Sequence, residues 1–413
     1  MPAPLSLSDA GTFAAYAIFL GSYFVFALGT FPGTKIDRPG AAIIGAVLMV
    51  AFRVVGARDA LASVDFATIV LLFSMMLVVA HLRVVGFFDW ITGRVIARLQ
   101  PHHLLPVVIF SCGILSAFLV NDVVCLVMTP FVVQLARRLQ LQPLPYLLAV
   151  ATASNIGSVA TITGNPQNML IGSLSHISYV DFLTHLGPVA AMGLFLNWGV
   201  LHWFALPRGV DRVPVAAASA ADARPHVVRW KPVAVLAGVL AGFLVGVPPA
   251  MTAAIGAAVL LVTRSVEPQH VYDGIDWGLL VFFVGLFIIV GGADRAGLTA
   301  HLLEPAARWN LHRLPVFAAV TTIVSNIVSN VPAVMLLRTV IPAFPNQHAA
   351  WLALAMASTL AGNLTLTGSV ANIIVAQRAA ADGVRISFGD YFRIGLPLTI
   401  ATLAVGCVWL AVL

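Results

Sequence analysis

Long runs of apolar residues alternate with short polar connectors along almost the whole chain. A membrane-spanning helix needs about 20 apolar residues, and lipid admits only helices or closed barrels. The runs are continuous and lack the period-2 alternation of barrel strands. We therefore predict an all-α polytopic membrane protein with about 10–12 transmembrane helices. The clearest runs are residues 14–28, 41–51, 69–80, 104–120, 186–206, 233–262, 279–290 and 396–413.

One polar segment, residues 207–232, interrupts this pattern near the midpoint of the chain and is rich in Ala, Pro and Arg. Its excess of basic residues is typical of a cytoplasmic loop, so we interpret it as a cytoplasmic linker. The linker divides the chain into an N-terminal transmembrane repeat, residues 1–206, and a C-terminal transmembrane repeat, residues 233–413.

The two halves resemble each other at three collinear places. Residues 65–86 align without gaps with 276–297, and SAFLVNDVVCLVMTP resembles SNIVSNVPAVMLLRT, which pairs Asn121 with Asn330. TITGNPQN (161–168) has a counterpart in TLTGSVAN (365–372). Duplication with Gly/Pro-broken segments is typical of secondary transporters. The repeats are inverted if each contains an odd number of crossings.

The third pair of segments is polar although its surroundings are apolar. Pro166 cannot donate a backbone hydrogen bond, and Gly164 permits a positive φ, so we predict a helix that breaks and restarts near Pro166. A broken helix exposes backbone dipole ends, and amides provide uncharged ligands beside them. The alternative is an ordinary surface loop. The predicted substrate-binding residues are Asn155, Thr163, Gly164, Asn165, Asn168, Asn363, Thr367, Gly368, Ser369 and Asn372.

The second pair of segments holds a carboxylate. Asp122 is the only acidic residue between Asp89 and Asp181, which makes it a candidate to carry a proton or bind a cation. The alternative is that Asn121 and Asp122 cap a helix at an interface. The predicted coupling-ion residues are Asn121, Asp122, Ser154, Asn155, Ser325 and Asn330, and Na⁺ is a possible occupant.

Composition narrows the class further. Only 9% of residues are charged, against about 25% in soluble domains. The net charge of +6 is spread over short loops, which does not indicate nucleic-acid binding. Walker A, HExxH and GxSxG motifs are absent, so we expect neither an enzyme nor an ATP-driven pump, and no cofactor or bound metal. No signal peptide is recognisable at the N-terminus.

Several other polar residues are interpreted as unrelated to function. Lys35, Asp37 and Arg38 read as an ordinary connector, and Arg338 as a side chain that reaches an interface. His185 and His301 stand alone among apolar residues. The three cysteines lack CxxC spacing and are expected to be buried small side chains.

The motifs SNIGSVATITGNPQN, GNLTLTGSVAN, LVNDVVCLVMTP and ISFGDYFRIGLPLTI resemble those of the ion transporter superfamily. This superfamily includes divalent-anion/sodium symporters, citrate–cation permeases and arsenite permeases. The resemblance implies two inverted repeats, each with a re-entrant helical hairpin and a broken helix. It also implies cation and substrate sites at the hairpin tips, a homodimer, and an elevator movement.

The motifs depart from those of sodium symporters. Ser154-Asn155 matches the first two letters of their Ser-Asn-Thr signature, but Ile156 replaces the threonine, and the second copy keeps only Asn363. Asn121-Asp122 matches the Asn-Asp of arsenite permeases. We therefore expect a secondary active transporter for a small inorganic or organic anion, coupled to protons or sodium, in a bacterial inner membrane. Arsenite/antimonite efflux is the alternative, and a passive anion channel is the alternative from another class.

Overall fold

The computed structural model describes residues 9–88, 90, 100–204, 230–262, 266–298, 301 and 309–412. All regular elements in these residues are helices, as the sequence predicts. Residues 207–229 of the predicted linker lie outside the described ranges, and its last three residues already belong to a helix. The N-terminal half contains α1 (Asp9–Leu28), α2 (Arg38–Ala51), α3 (Ala57–Ala62), α4 (Phe66–Val84), α5 (Leu104–Phe118), α6 (Asn121–Arg138), α7 (Leu144–Ser158), α8 (Pro166–Ser175) and α9 (Tyr179–Phe204).

The C-terminal half likewise contains long helices, short helices and helices that are interrupted by non-helical residues. Six of the described helices in the two halves are long and apolar enough to cross a membrane. Further apolar helices among the described residues are shorter, such as the consecutive helices Trp230–Val245 and Pro249–Val262, so the number of about 10–12 crossings stays a prediction. The C-terminal helices are α10 (Trp230–Val245), α11 (Pro249–Val262), α12 (Pro268–Tyr272), α13 (Trp277–Arg295), α14 (Leu314–Val328), α15 (Asn330–Leu337), α16 (Gln347–Leu360), α17 (Val370–Ala381) and α18 (Phe388–Val412).

Two pairs of helices, α5/α6 and α14/α15, are each separated by one or two non-helical residues. Leu119 (φ −120°) and Val120 leave the helical region between α5 and α6. Ser329 separates α14 from α15 with φ +79° and ψ +158°, a conformation that a residue with a side chain rarely adopts. We call the residues around these two interruptions, 116–122 and 325–331, the two tips.

Two other pairs, α7/α8 and α16/α17, are interrupted by the polar segments 159–165 and 361–369. The second helix of the first pair begins at Pro166, as predicted, and the Asn165 side chain caps it by accepting a hydrogen bond from the Asn168 backbone N–H at 2.9 Å. In the second pair Ser369 caps α17 by accepting from the Ala371 N–H. Residues 161–171 are buried throughout, so the surface-loop alternative is wrong.

The role of glycine in these breaks differs from the prediction. Gly164 and Gly368 do not adopt a positive φ. Gly164 lies so close to the preceding turn that a Cβ would stand 2.3 Å from the Ser158 carbonyl oxygen. At Gly368 a Cβ would stand 2.7 Å from Oδ1 of Asn326. A side chain at position 164 would therefore collide with the backbone of the preceding turn, and one at position 368 with the side chain of Asn326 in α14.

The direction of the helices defines two ends of the molecule. Helix α9 has 26 residues and is about 39 Å long, so its first turn and Phe204 lie at opposite ends. We call the end with Phe204 the linker end and the other the far end. Tyr179, in the first turn of α9, contacts Phe243 near the end of α10, so α10 starts at the linker end and α11 returns there.

Candidate functional site

Asn155, in the last turn of α7, is the centre of the buried polar network. Its Nδ2 donates to Oδ1 of Asn363 and to Oδ1 of Asn372, both at 3.0 Å. Its Oδ1 accepts from Nδ2 of Asn121 and from the hydroxyl of Ser369, both at 3.1 Å. The amide thereby uses both its hydrogens and both its lone pairs, and it joins the two halves of the chain.

The side chains of Asn165 and Asn168 hold the first break. Asn165 Nδ2 donates to the Ser158 hydroxyl at 2.9 Å and to that of Thr359 at 3.2 Å. Asn168 Nδ2 donates to the carbonyls of Ser158 and Thr161, ten and seven residues earlier, both at 3.0 Å. The freed backbone carbonyls of the broken helix are thus satisfied by side-chain amides.

Asn372 does the same in the second break. Its Nδ2 donates to the carbonyls of Gly362 and Thr365, which again lie ten and seven residues earlier. Asn363 Nδ2 donates to the Thr152 carbonyl at 3.3 Å, and Asn326 Nδ2 to the Ala361 carbonyl at 2.9 Å. The aligned residues Asn168 and Asn372 therefore make equivalent bonds, a correspondence that the predicted duplication explains.

Other predicted substrate residues are placed less centrally. The Thr163 hydroxyl lies 3.1 Å from the hydroxyl of Tyr179 and is buried. Thr367 is exposed, although its partner in the alignment, Thr163, is completely buried. The structure therefore brings together most of the predicted substrate residues around Asn155 but leaves Thr367 outside the buried network.

Three predicted coupling-ion residues have oxygen atoms without hydrogen-bond partners among the described residues. These buried atoms are Oδ1 of Asn121, Oδ1 of Asn330 and Oγ of Ser325. A buried acceptor is normally paired, because leaving it unpaired costs about 1–3 kcal/mol. Oxygen atoms of this kind suit an alkali cation or the hydroxyl of a substrate. The Ser154 hydroxyl, by contrast, is engaged with Ser116 at 2.8 Å and with the Asn121 carbonyl.

A cavity of about 220 Å³ lies between the two tips. Asn121 and Asp122 line it from one tip and Ser329 and Asn330 from the other, and Ser369 lies at the second break. Asp122 lies in the first turn of α6. The N-cap residue of this helix is Val120, and no side chain makes a capping hydrogen bond there. The capping alternative for Asp122 is therefore not supported by its position.

The other lining residues come from helices outside the breaks and tips. Arg38, Asp276 and Gly278 begin α2 and α13 and face the same cavity. Helix α11 ends at the linker end, and Asp276 follows its last residue by only 14 positions. The cavity that Asp276 lines therefore lies toward the linker end. The lining contains one arginine and two aspartates, so its formal net charge is −1 when all three are ionised.

Sequence reasoning did not place Arg38, Gln167 or Asp276 at the site. The interpretation of Arg38 as part of an ordinary connector is wrong, because its guanidinium is partly buried, donates from Nε to the Phe26 carbonyl at 3.0 Å, and lines the cavity. In the sequence, Asp276 is distinguished only by its alignment with Asp65. Arg338 pairs with Asp294 at 3.6 Å and does not line the cavity.

The amino-acid sequence is similar to a family of transporters and to individual membrane proteins. Residues 23–361 match the family model CitMHS, described as "Citrate transporter". The silicon efflux transporter LSI3 of Oryza sativa subsp. japonica is 32% identical, over 91% of this chain and 92% of its own length. The 46 kDa membrane protein of Mycobacterium leprae is 28% identical, over 96% and 97% of the two chains.

Two further similarities are more distant. A putative transporter of Dictyostelium discoideum, arsB, is 24% identical over 90% of this chain and 86% of its own. The crystal structure of the Alcanivorax borkumensis YdaH transporter, described as having an unusual topology, superposes with a TM-score of 0.60. That match covers 98% of both chains at 16% identity, so it bears on the fold alone.

Proposed function

Because this chain belongs to the citrate transporter family and is a membrane transporter, we propose that it moves a small inorganic or organic anion by secondary active transport. The observation that carries the proposal is the cavity between the two tips, where polar groups from both broken helices meet. Binding sites at broken helices between two halves are typical of gradient-driven transporters.

The chemistry of the cavity favours a small solute of low charge. Arg38 can donate to an oxyanion, whereas Asp122 and Asp276 repel a polyanion that carries no cation. Amides and hydroxyls at Asn121, Asn330 and Ser369 suit a solute with several oxygen atoms.

A second candidate is efflux of the neutral hydroxylated form of a weak acid. The net negative lining favours this candidate, and so does the 32% identity to a silicon efflux transporter. Arsenite or antimonite efflux belongs to the same chemical class, and the likeness to arsB points to it. In both cases hydrogen bonds from amides would replace the hydration shell of the solute.

Coupling is assigned to Asp122. Its carboxylate faces the cavity from the first turn of α6, beside the unpaired oxygen of Asn121, and can accept a proton or share a Na⁺ ion. At the opposite tip, the unpaired oxygens of Asn330 and Ser325 would provide ligands for a cation.

The proposed setting is a bacterial inner membrane with the basic linker in the cytoplasm, so that the cavity faces the cytoplasm. Apolar side chains exposed along the helices, such as Phe13, Phe195 and Val408, would contact lipid. A homodimer with an elevator movement is part of the same proposal, and nucleic acid has no role in it.

The decisive experiment is flux into proteoliposomes that contain the purified full chain. Arsenite, silicic acid and citrate are offered separately under an imposed proton or sodium gradient. Accumulation of one of them above its equilibrium level supports coupled transport. Flux that only follows the gradient of the solute itself would exclude secondary active transport and support a passive route, such as the channel alternative.

A further inference from the structure

Three potential metal ligands meet at the far end of the molecule, away from the cavity. Asp181 and His185 lie one turn apart at the start of α9, and His348 lies at the start of α16 in the other half of the chain. The Asp181 carboxylate is 2.9 Å from Nδ1 of His185 and 2.7 Å from Nε2 of His348. The sequence interpretation of His185 as an isolated histidine is therefore wrong.

We propose that Asp181, His185 and His348 form a binding site for a divalent transition-metal ion such as Zn²⁺. Their three ligand atoms all lie within 4.8 Å of one another. Ligands around a tetrahedral Zn²⁺ ion are roughly 3.3 Å apart, given Zn–N and Zn–O distances near 2.1 Å. The three ligand atoms therefore need to shift relative to one another by no more than about 1.5 Å to surround the ion.

The exposure of the cluster suits exchange of an ion with solvent. The side chains of Asp181 and His348 are 36% and 42% exposed, so the ion can reach them and keep a water molecule as its fourth ligand. In the absence of metal, the carboxylate accepts a hydrogen bond from Nε2 of His348, and Nδ1 of His185 lies 2.8 Å from the Asp181 backbone carbonyl and 2.9 Å from the carboxylate. The ion would replace the protons on those two nitrogens, as metal binding to histidine requires.

Neighbouring contacts hold the three side chains in place. The Asp181 backbone N–H donates to the Ser178 hydroxyl, and the Asn346 side chain caps α16 two residues before His348. The His185 carbonyl accepts from Nε1 of Trp409 in α18 at 2.8 Å. Three helices therefore converge on the cluster, and fixed ligands raise metal affinity.

A bound ion would connect the two halves outside the cavity. Helix α16 runs from His348 to the second break, where Asn363 bonds to Asn155. Metal binding would thus anchor the start of a helix whose other end belongs to the transport site. This inference concerns a separate site and stands whether or not the proposed substrate class is correct.

The test is direct binding of Zn²⁺ to the purified full-length protein, without a histidine tag, by titration calorimetry in detergent. We expect one Zn²⁺ per chain at this site, and at least a tenfold lower affinity in His348→Ala and His185→Ala. His348→Gln keeps a hydrogen-bond donor for Asp181 but removes the imidazole, so it separates loss of ligation from loss of folding. His270→Ala is the matched control, because His270 lies 4.0 Å from Glu267 in an exposed pair without a second histidine.

The outcomes are distinguishable. Lower Zn²⁺ affinity in the two alanine variants and in His348→Gln, with affinity unchanged in His270→Ala, supports the site. Equal affinity in all five proteins overturns it, as does a wild-type protein that binds no Zn²⁺. His348→Cys should restore binding and shift the preference toward Cd²⁺, because thiolate is a softer ligand than imidazole.

Discussion

The side-chain amide of Asn155 donates a hydrogen bond to Oδ1 of Asn363 at 3.0 Å and so joins two helix breaks that lie 208 residues apart in the chain. Asn155 lies in the last turn of α7, and Asn363 lies in the second break, three residues after the end of α16. Because Asn155 uses all four of its hydrogen-bonding positions, it acts in this conformation as a junction between the halves. We therefore expect the substrate to bind at the tips, where the unpaired oxygens of Asn121, Asn330 and Ser325 lie.

Replacing Asn155 by Ala should therefore destabilise the protein strongly. The change removes four hydrogen bonds and leaves buried acceptors on Asn363 and Asn372 without this donor, at about 1–3 kcal/mol for each unpaired group. Thermal unfolding in detergent measures the loss. The matched control is Asn197→Ala, since Asn197 is also fully buried but accepts a single bond from Thr152. Equal destabilisation by the two changes would contradict the junction role.

Asp122→Asn should abolish gradient-driven accumulation and its dependence on pH, because an amide can neither carry a proton nor offer a charge to Na⁺. Proteoliposome uptake under imposed proton and sodium gradients provides the measurement. Asp276→Asn is the matched control: it removes a carboxylate from the same cavity, and asparagine still caps α13 as Asp276 does by accepting from the Leu279 N–H. If Asp122→Asn retains coupled uptake, the assignment of coupling is wrong.

Arg38→Gln should distinguish an anionic from a neutral substrate. If an oxyanion binds, loss of the guanidinium should raise KM roughly tenfold or more, since a charged hydrogen bond contributes about 1.5–3 kcal/mol. If the neutral acid binds, KM should change little. The measurement is initial uptake rate against substrate concentration, and the control is Lys35→Gln, because Lys35 precedes α2 and lies outside the cavity lining.

Gly164→Ala should lower stability by about 1–3 kcal/mol, because the new methyl group would meet the Ser158 carbonyl in a tightly packed turn. Gly199→Ala, in α9, should instead raise the stability. A Cβ there meets nothing within 4 Å, and alanine favours a helix over glycine by up to about 1 kcal/mol. Comparison of the two unfolding temperatures checks both signs. An unchanged stability in Gly164→Ala would refute the close approach as the reason for this glycine.

Much of this architecture follows from local sequence. The continuous apolar runs determine helices, because lipid leaves the backbone no other way to satisfy its polar groups. Pro166 and the capping side chains of Asn165 and Ser369 fix where two broken helices restart. The alignment of Asn168 with Asn372 anticipates their equivalent bonds, since both are set by carbonyls seven and ten residues earlier in the same segment.

The charged residues that complete the cavity beside Asp122, and the far-end cluster, were decided by tertiary structure alone. Arg38 and Asp276 begin helices far along the chain from the tips, and only packing brings them to face Asp122. His185 and His348 read as unrelated residues in the sequence because 163 positions separate them, and the convergence of α9 with α16 makes them neighbours. Local patterns report what a segment does by itself, whereas a site built across two halves depends on contacts that no segment contains.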